Sequence, residues 1–397
     1  MDYPLIHWCE QYVSDGFIEL YDTGYHKILS KCGPCYPFTQ LDKPLDDYNL
    51  TADFIKLETN GTELELLQGM LNTIKNNEPA ILFNNPLLIP KLKELGYQIY
   101  PVNGRSYWLA NDLTDVYKIP YKLKWRLDCP MSPYRVPNNP SIINIPGGYL
   151  CNMRCSNYVY DPHFRFLEGT IHLSDHVLLW LNQDFLITKS VQLVDKTNNV
   201  YYDSFVKGID DLRLINDHQF ICSHGNFYPH RVIQQALGWF TPDGEVTKLI
   251  PLKVNLGRHE KNWLPIINHH LHLIYMLAPL IIYKVVEDDC LIKMDTQLKC
   301  PLQDLKGSGP PIPYDGGWLC TAHQTKDMCY TQRWMWFNDD FTVQRWSDPF
   351  YFEEYGIEFS LGLCQGDNGV LLTYSVKDNH PKVILVDYSE IKLIHEL

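Results

Sequence analysis

The chain has 397 residues, with 34 basic and 47 acidic side chains and a formal net charge of −13. No run of Lys or Arg stands out, so a nucleic-acid backbone and an anionic membrane surface are excluded as expected partners. Aromatic residues make up 13%, including 26 Tyr and 10 Trp, which favours an all-β architecture or a carbohydrate-facing surface over a helical bundle.

The length predicts two domains, each with its own core. Met1 to Asp15 mixes His, Cys, Glu and Gln with apolar residues and has no basic region followed by an apolar core, so it does not read as a secretory signal. The longest apolar stretch, around Leu271 to Val286, is interrupted by His272, Pro279 and Lys284 and is too short to span a bilayer. The expected location is cytoplasmic. The 12 Cys are scattered, and those in apolar runs, such as Cys222, Cys320 and Cys364, read as small buried hydrophobes of a reducing compartment. Cys32-Gly33-Pro34-Cys35 spells a dithiol motif, but Tyr36-Pro37-Phe38 breaks the helix that would lower a thiol pKa. A zinc site from Cys9, His26, Cys32 and Cys35 is the alternative, though no second Cys pair completes a tetrahedral set.

From Leu41 to about Asn111 the pattern is α/β. An extended run, Ala52 to Leu57, leads through Thr59-Asn60-Gly61 into an amphipathic helix over 62–76, with Leu64, Leu67, Met70, Leu71 and Ile74 on one face. Pro79 to Phe83 predicts a strand, Pro86 to Leu95 a helix closed by Gly96, and Tyr97 to Val102 another strand. This segment, from Leu45-Asp46-Asp47-Tyr48 through Leu95-Gly96-Tyr97, resembles the C-terminal half of an FkbM-type methyltransferase. The glycine-rich cofactor half has no room before Leu41, and Asn60 stands where the family's turn carries a carboxylate. The resemblance therefore implies a truncated domain over 1–115 kept for packing or interaction, with S-adenosylmethionine not expected as a cofactor.

From Tyr117 onwards helical periodicity disappears. Strands bounded by turn residues are predicted at Ser141 to Ile145, Tyr149 to Asn157, Val177 to Leu181, Leu212 to His224, Glu245 to Val254 and His272 to Val286. Periodicity alone does not separate a propeller from a sandwich or barrel. Further on come Gly307-Ser308-Gly309-Pro310-Pro311-Ile312, then Gly317-Trp318-Leu319-Cys320-Thr321-Ala322-His323, Ser347-Asp348-Pro349-Phe350, Ile357 to Leu363 and Leu372 to Asp378. This order resembles the last blades of the five-bladed β-propellers of family-130 mannoside phosphorylases and hydrolases and of the related family-108 mannosyltransferases. It implies an all-β five-bladed propeller over 116–397 acting on mannosides or related glycans.

The sharpest local signal is Gly208-Ile209-Asp210-Asp211-Leu212-Arg213. On its own, Asp-Asp-x-Arg is a solvated turn with a local ion pair. It also resembles the Gly-x-Glu-Asp-Pro-Arg motif of the family, with Asp210 for Glu and Leu212 for Pro. That match implies a catalytic role for Asp211, with Asp210 and Arg213 beside it. An acid flanked by another acid is expected to hold its proton longer, as a general acid needs. Arg258-His259-Glu260-Lys261-Asn262-Trp263 resembles the family's basic strand, implying that Arg258 and Lys261 meet phosphate or a leaving group; otherwise it is an edge strand with Trp263 in the core. The family's next strand carries His-Arg where this chain has Tyr275-Met276, which weighs against phosphorolysis. His323 matches a pocket histidine, while Asn139 and Arg154, in Asn152-Met153-Arg154, match first-blade sugar contacts. Glu358 and Asp378 read equally as ligand contacts and as blade clamps.

No Gly-x-Ser-x-Gly elbow, P-loop, His-Glu-x-x-His helix or dinucleotide fingerprint is present, and no Asp-x-Asp pair suits metal-dependent sugar transfer. The expectation is an inverting glycosyltransferase or phosphorylase that needs no metal or organic cofactor, takes a glycan or small sugar substrate, and uses a sugar phosphate or sugar nucleotide as possible donor. The alternative is a catalytically silent propeller that binds a glycan or a protein.

Overall fold

The structure is a computed structural model. It describes residues 17–21, 35–38, 44–48, 54–58, 62–77, 79–95, 97–102 and 107–111, and then 116–397 apart from 128–133, 161–163, 229–231, 255–258, 288–289, 295, 297, 299, 327–328 and 354–355. The chain divides into two compact units, 1–115 and 116–397.

In the first unit, Phe17–Tyr21 lies between Cys35–Phe38 and Phe54–Glu58, and Phe54–Glu58 continues to Ala80–Phe83, all in parallel. Tyr107–Asn111 and Gln98–Val102 complete the sheet with antiparallel pairings. The single helix predicted over 62–76 is two, Glu63–Gln68 and Leu71–Asn77. Gly69 is a weak helix former, and the Asp46 carboxylate restarts the helix by accepting from Asn72 N at 3.0 Å and Thr73 N at 2.7 Å. An acceptor of this kind satisfies N–H groups that an opening helical turn leaves unpaired. Leu67, Met70 and Ile74 nevertheless reach one core with Ile55, Leu57, Ile81 and Phe83, as their spacing requires. Cys9, His26, Cys32 and the turn at 59–61 lie outside the described residues.

The second unit is mostly β. Turn residues cut its apolar runs into five successive antiparallel meanders. The first is Val136–Ile145, Gly148–Ser156, His172–Asn182 and Ile187–Asp195. The second is Ile209–Asn216, Gln219–His224, Gln234–Phe240 and Glu245–Pro251. The third is Leu264–Asn268, His270–Leu277, Leu280–Glu287 and Cys290–Lys293. The fourth is built on Gly317–Lys326, Cys329–Asn338 and Gln344–Trp346. The fifth is Glu358–Gly366, Gly369–Val376 and Asn379–Asp387, and it takes its outer strand, Lys122–Arg126, from the start of the unit. That pairing ties the two ends of the unit together, which protects the strand edges.

Two runs predicted as single strands are hairpins. Leu212 to His224 turns at Asp217-His218, where Asn216 Oδ1 accepts from His218 N at 3.1 Å. His272 to Val286 turns at Ala278-Pro279, between Leu277 and Leu280. Both runs are apolar on either side of the turn, so hydropathy alone hides it.

Separate clusters seal adjacent meanders. Leu150 and Leu178 pack with Leu212 and Phe220, and Ile221 and Leu237 with Trp263 and Leu273. Ile274 and Ile282 pack with Cys320 and Met335, Trp334 and Phe350 with Leu363 and Tyr374, and Leu371 and Leu385 with Cys151 and Met153. The apolar core is thus distributed around a ring in a propeller-like arrangement, leaving polar groups to converge at its centre. There the inner strands approach so closely that a Cβ on Gly362 would lie 2.6 Å from Ile142 N. Cys222, Cys320 and Cys364 are buried in these seams.

Candidate functional site

A cavity of about 380 Å³ opens at the centre of the second unit. Four residues that line it, Asn139, Asp211, Asn262 and Asp378, have left-handed backbones, with φ of 41°, 43°, 65° and 48°. Asn and Asp tolerate this region better than other non-glycine residues, yet each such residue costs of order 1–3 kcal/mol, and such costs cluster at functional sites. At Asp211 the register slips between the Asp210–Ser223 and Arg213–Ile221 pairs. A second slip falls between Asn152 and Arg154. Irregularities of this kind re-aim side chains out of the regular alternation.

Arg154 organises what they aim at. Its Nη1 lies 2.7 Å from Asp211 Oδ1 and its Nε 3.0 Å from Asp210 Oδ1. Its Nη2 donates to Tyr158 OH at 3.0 Å and stands 3.0 Å from His172 Nε2. Tyr158 OH donates in turn to Asp378 Oδ2 at 2.9 Å. The Asn139 amide is 3.5 Å from Asp211 Oδ1 and 3.4 Å from Asp378 Oδ1. Lys261 Nζ approaches Asp210 Oδ2 at 3.5 Å, and Lys306 and His323 also face the cavity.

Burial is the largest influence on Arg154, Asp210 and Asp378. It opposes the charge on Arg154, but Asp210, Tyr158, Asp211 and Asp378 together hold the guanidinium well above its ordinary pKa. Burial would raise Asp210, but Arg154 and Lys261 outweigh it and keep that carboxylate below the usual range. Asp378 is raised, by burial first, against the opposing pull of Arg154. Arg154 contacts both Asp210 and Asp211, and Asp378 is the carboxyl group that burial favours in its protonated form. Burial also lowers His323 to about 3 and His172 to about 4, so both rings are neutral at pH 7.

Among the residues singled out by the sequence, Asn139, Arg154, Asp210, Asp211, Lys261, His323 and Asp378 all line this cavity. Arg213 and Glu358 do not. Arg213 is fully buried, and its guanidinium donates to Ser308 O at 3.0 Å, Gly307 O at 3.3 Å and Asn262 Oδ1 at 3.4 Å. It clasps the second meander to the segment before the fourth and supports Asn262 from behind. Glu358 is also fully buried, accepting from Phe352 N at 2.7 Å and Glu353 N at 2.8 Å. It clamps a loop, the structural one of its two sequence readings. Arg258 lies outside the described residues. Where the family has His-Arg, Tyr275 donates to Glu260 Oε1 at 3.2 Å and packs edge-on against Trp263 at 5.0 Å, so that position serves the core.

The sequence did not single out Tyr158, His172, Lys306 or Tyr330, although all four line the cavity. Lys306 immediately precedes the glycine-rich Gly307–Ile312 segment, a local cue; the other three carry none. Among the described residues, no group of three or more His, Cys, Asp or Glu is placed to hold a metal ion.

No protein-family model and no curated protein matches the chain. Solved structures do. A structure described under the GH130 family of mannoside phosphorylases, containing glycoside hydrolases that target β-1,2 mannosidic linkages in Candida mannan, superposes with a TM-score of 0.50 at 12% identity, covering 71% of this chain and 98% of that one. The β-1,2-mannobiose phosphorylase of Listeria innocua matches with a TM-score of 0.46 at 14% identity, over 66% of this chain and 94% of its own. A mannose phosphorylase of Leishmania mexicana, solved with a phosphate ion, matches at 0.40 and 11%, over 70% and 93%. At these identities the likeness is one of fold: the structural neighbours of this chain are mannoside phosphorylases and hydrolases with a propeller-like barrel.

Proposed function

We propose that the second unit is a carbohydrate-active enzyme that works at the central cavity on a mannoside or related glycoside, with inversion at the anomeric carbon. The observation that carries this reading is the convergence of Asp210, Asp211 and Asp378 with Arg154, Lys261 and Lys306 on one cavity. Structural ion pairs alone do not call for so many charges around an open space. Asp211 serves as general acid in bond cleavage, or as general base in synthesis, against an oxygen nucleophile arriving from the opposite face. Arg154 and Asn139 fix its carboxylate. Lys261 and Lys306 neutralise an attacking phosphate or the phosphate of a sugar phosphate or sugar nucleotide donor. Neutral His323 and His172 contribute hydrogen bonds without adding charge.

Whether the chain makes or breaks the bond rests on analogy. The first unit, with its likeness to an FkbM-type methyltransferase, is consistent with glycan assembly, and so with a family-108-like transferase. A second reading, a silent glycan-binding propeller, draws support from the Tyr275–Glu260 contact that replaces part of the expected anion site.

The test is incubation of the purified chain with β-1,2-mannobiose, with and without phosphate, and of mannose 1-phosphate with mannose acceptors, reading products by chromatography. Turnover that falls by about 10²–10⁴ in Asp211→Asn supports the enzyme. Sugar binding without turnover in any arm supports the silent propeller.

A further inference from the structure

A second cavity, of about 600 Å³, opens between the first and second meanders, within the size range of small-ligand sites, about 300–1,000 Å³. We propose that it binds a neutral oligosaccharide, independently of the central cavity.

The sequence supplies an unusual wall. From the segment Lys196 to Phe205, Tyr201, Tyr202 and Asp203 line the cavity, with Tyr201 36% and Tyr202 46% exposed. Hydrogen bonds hold it in place. Asn226 Nδ2 donates to Tyr202 O at 2.7 Å and Tyr202 N donates to Asn226 O at 2.8 Å. Tyr201 is pinned by its hydroxyl, which donates to Asp195 Oδ2 at 2.5 Å, and its ring centroid lies 4.8 Å from that of His224 at an interplanar angle of 30°. A fixed aromatic face of this kind suits the apolar face of a sugar ring, with little ordering left to be done on binding.

His224 supplies a hydrogen-bond donor to the same cavity. It is 2% exposed and lines the cavity. Its Nδ1 accepts from Asn226 N at 3.2 Å, so the neutral ring carries its proton on Nε2. Burial keeps the ring neutral, lowering its pKa to about 4. Among the described residues Nε2 makes no hydrogen bond, so it is available to donate to a ligand in the cavity. Asp175, Asp195, Asp203 and Lys207 also line the cavity; Arg135 pairs with Asp175 at 2.5 Å and Lys207 with Asp203 at 3.1 Å, while among the described residues no cation pairs with Asp195, so one acid is left in excess. That balance repels a phosphate or nucleotide and supplies acceptors for hydroxyl groups. An uncharged, hydroxyl-rich ligand satisfies both the Nε2 donor and the carboxylates.

The cavity shares a wall with the central one. Gly208 and Ile209 line the outer cavity, Asp210 and Asp211 the inner, and His176 Nε2 lies 3.0 Å from Ile209 O between them. The two sites use different side chains, so either assignment can fail alone.

The experiment is calorimetric titration with β-1,2-mannotriose, cellotriose and maltotriose in an Asp211→Asn background, which suppresses turnover. At least one probe is expected to bind. Adding Tyr201→Ala should weaken that binding at least about tenfold, whereas Tyr201→Phe, which keeps the ring, should stay within about threefold. Tyr202→Ala replaces Tyr201→Ala if thermal unfolding shows the latter to be unfolded. Tyr201→Ala in the otherwise native chain should leave turnover of small substrates unchanged. The proposal is overturned if none of the three probes binds, if neither tyrosine variant changes affinity, or if mannose 1-phosphate competes for the Tyr201-dependent site. Loss of turnover in Asp211→Asn with intact trisaccharide binding would leave both assignments standing.

Discussion

Arg154 and Asp211 meet at 2.7 Å, although 57 residues separate them in the chain. Both sit beside a slip in strand register, and Asp211 also carries a left-handed backbone. The pair joins the first meander to the second across the candidate site. Arg154 also reaches Asp210, which is 2% exposed, and is itself 3% exposed.

Removing the cation while leaving both acids should be severe. Arg154→Met is expected to destabilise the second unit by roughly 3–5 kcal/mol at neutral pH, because buried carboxylates lose their partner. Urea denaturation followed by tryptophan fluorescence measures this. The triple variant with Asp210→Asn and Asp211→Asn should recover much of the loss; no recovery would mean that Arg154 acts through packing alone.

Asp378 gives the opposite sign. Its folded pKa is raised, so at neutral pH its charge opposes folding, and that penalty fades as pH falls through the folded value towards the unfolded value of about 3.9. Asp378→Asn is therefore expected to raise the melting temperature at pH 7, with the gain shrinking towards pH 4. If Asp378 also holds a proton used in the reaction, the same variant lowers kcat and shifts the acid limb of the pH–rate profile. A melting temperature that drops equally at both pH values would refute the first expectation.

The buried histidines set the acid limit. His172, His176 and His224 fall to about 4 and His323 to about 3, all through burial first. The unfolded chain protonates these rings below about pH 6.5 while the folded chain does not, so stability is present above that value and is lost as pH falls towards 4. Asp210 adds a later loss, since its depressed pKa gives stability that goes only below about 3.9. His323→Gln should flatten the slope between pH 6 and 4 in a thermal-shift series, by roughly one proton's worth. An unchanged slope would mean that His323 is protonated in the folded state.

Gly362 tests the crowding at the centre. A methyl group there would meet Ile142 N at 2.6 Å, Ser141 Cα at 3.0 Å and the Thr373 hydroxyl, whereas one on Gly356 would meet nothing within 4 Å. Gly362→Ala is expected to cost about 1–3 kcal/mol, as overpacking does. Gly356→Ala should be near neutral. Equal effects in equilibrium denaturation would argue against the close approach.

Much of the central site was legible in the chain. Asn139, Arg154, Asp211, Lys261, His323 and Asp378 were picked out by resemblance to the family-130 motifs, and all six line one cavity. The apolar runs likewise determined that the second unit is built of strands, and the spacing of Leu67, Met70 and Ile74 determined a buried helical face in the first. Tertiary structure alone decided which charged groups face the cavity. Arg213 and Glu358 belong to the same motifs as the site residues, yet their charges are spent on backbone groups of neighbouring segments. Tyr158 and His172 reach Arg154 through the pairing of neighbouring strands, and Lys306 joins the site because segments distant in sequence are brought together around a ring. Local alternation assigns a residue to one side of a strand, but which sides converge depends on long-range pairing, such as that of Lys122–Arg126 with Asn379–Asp387.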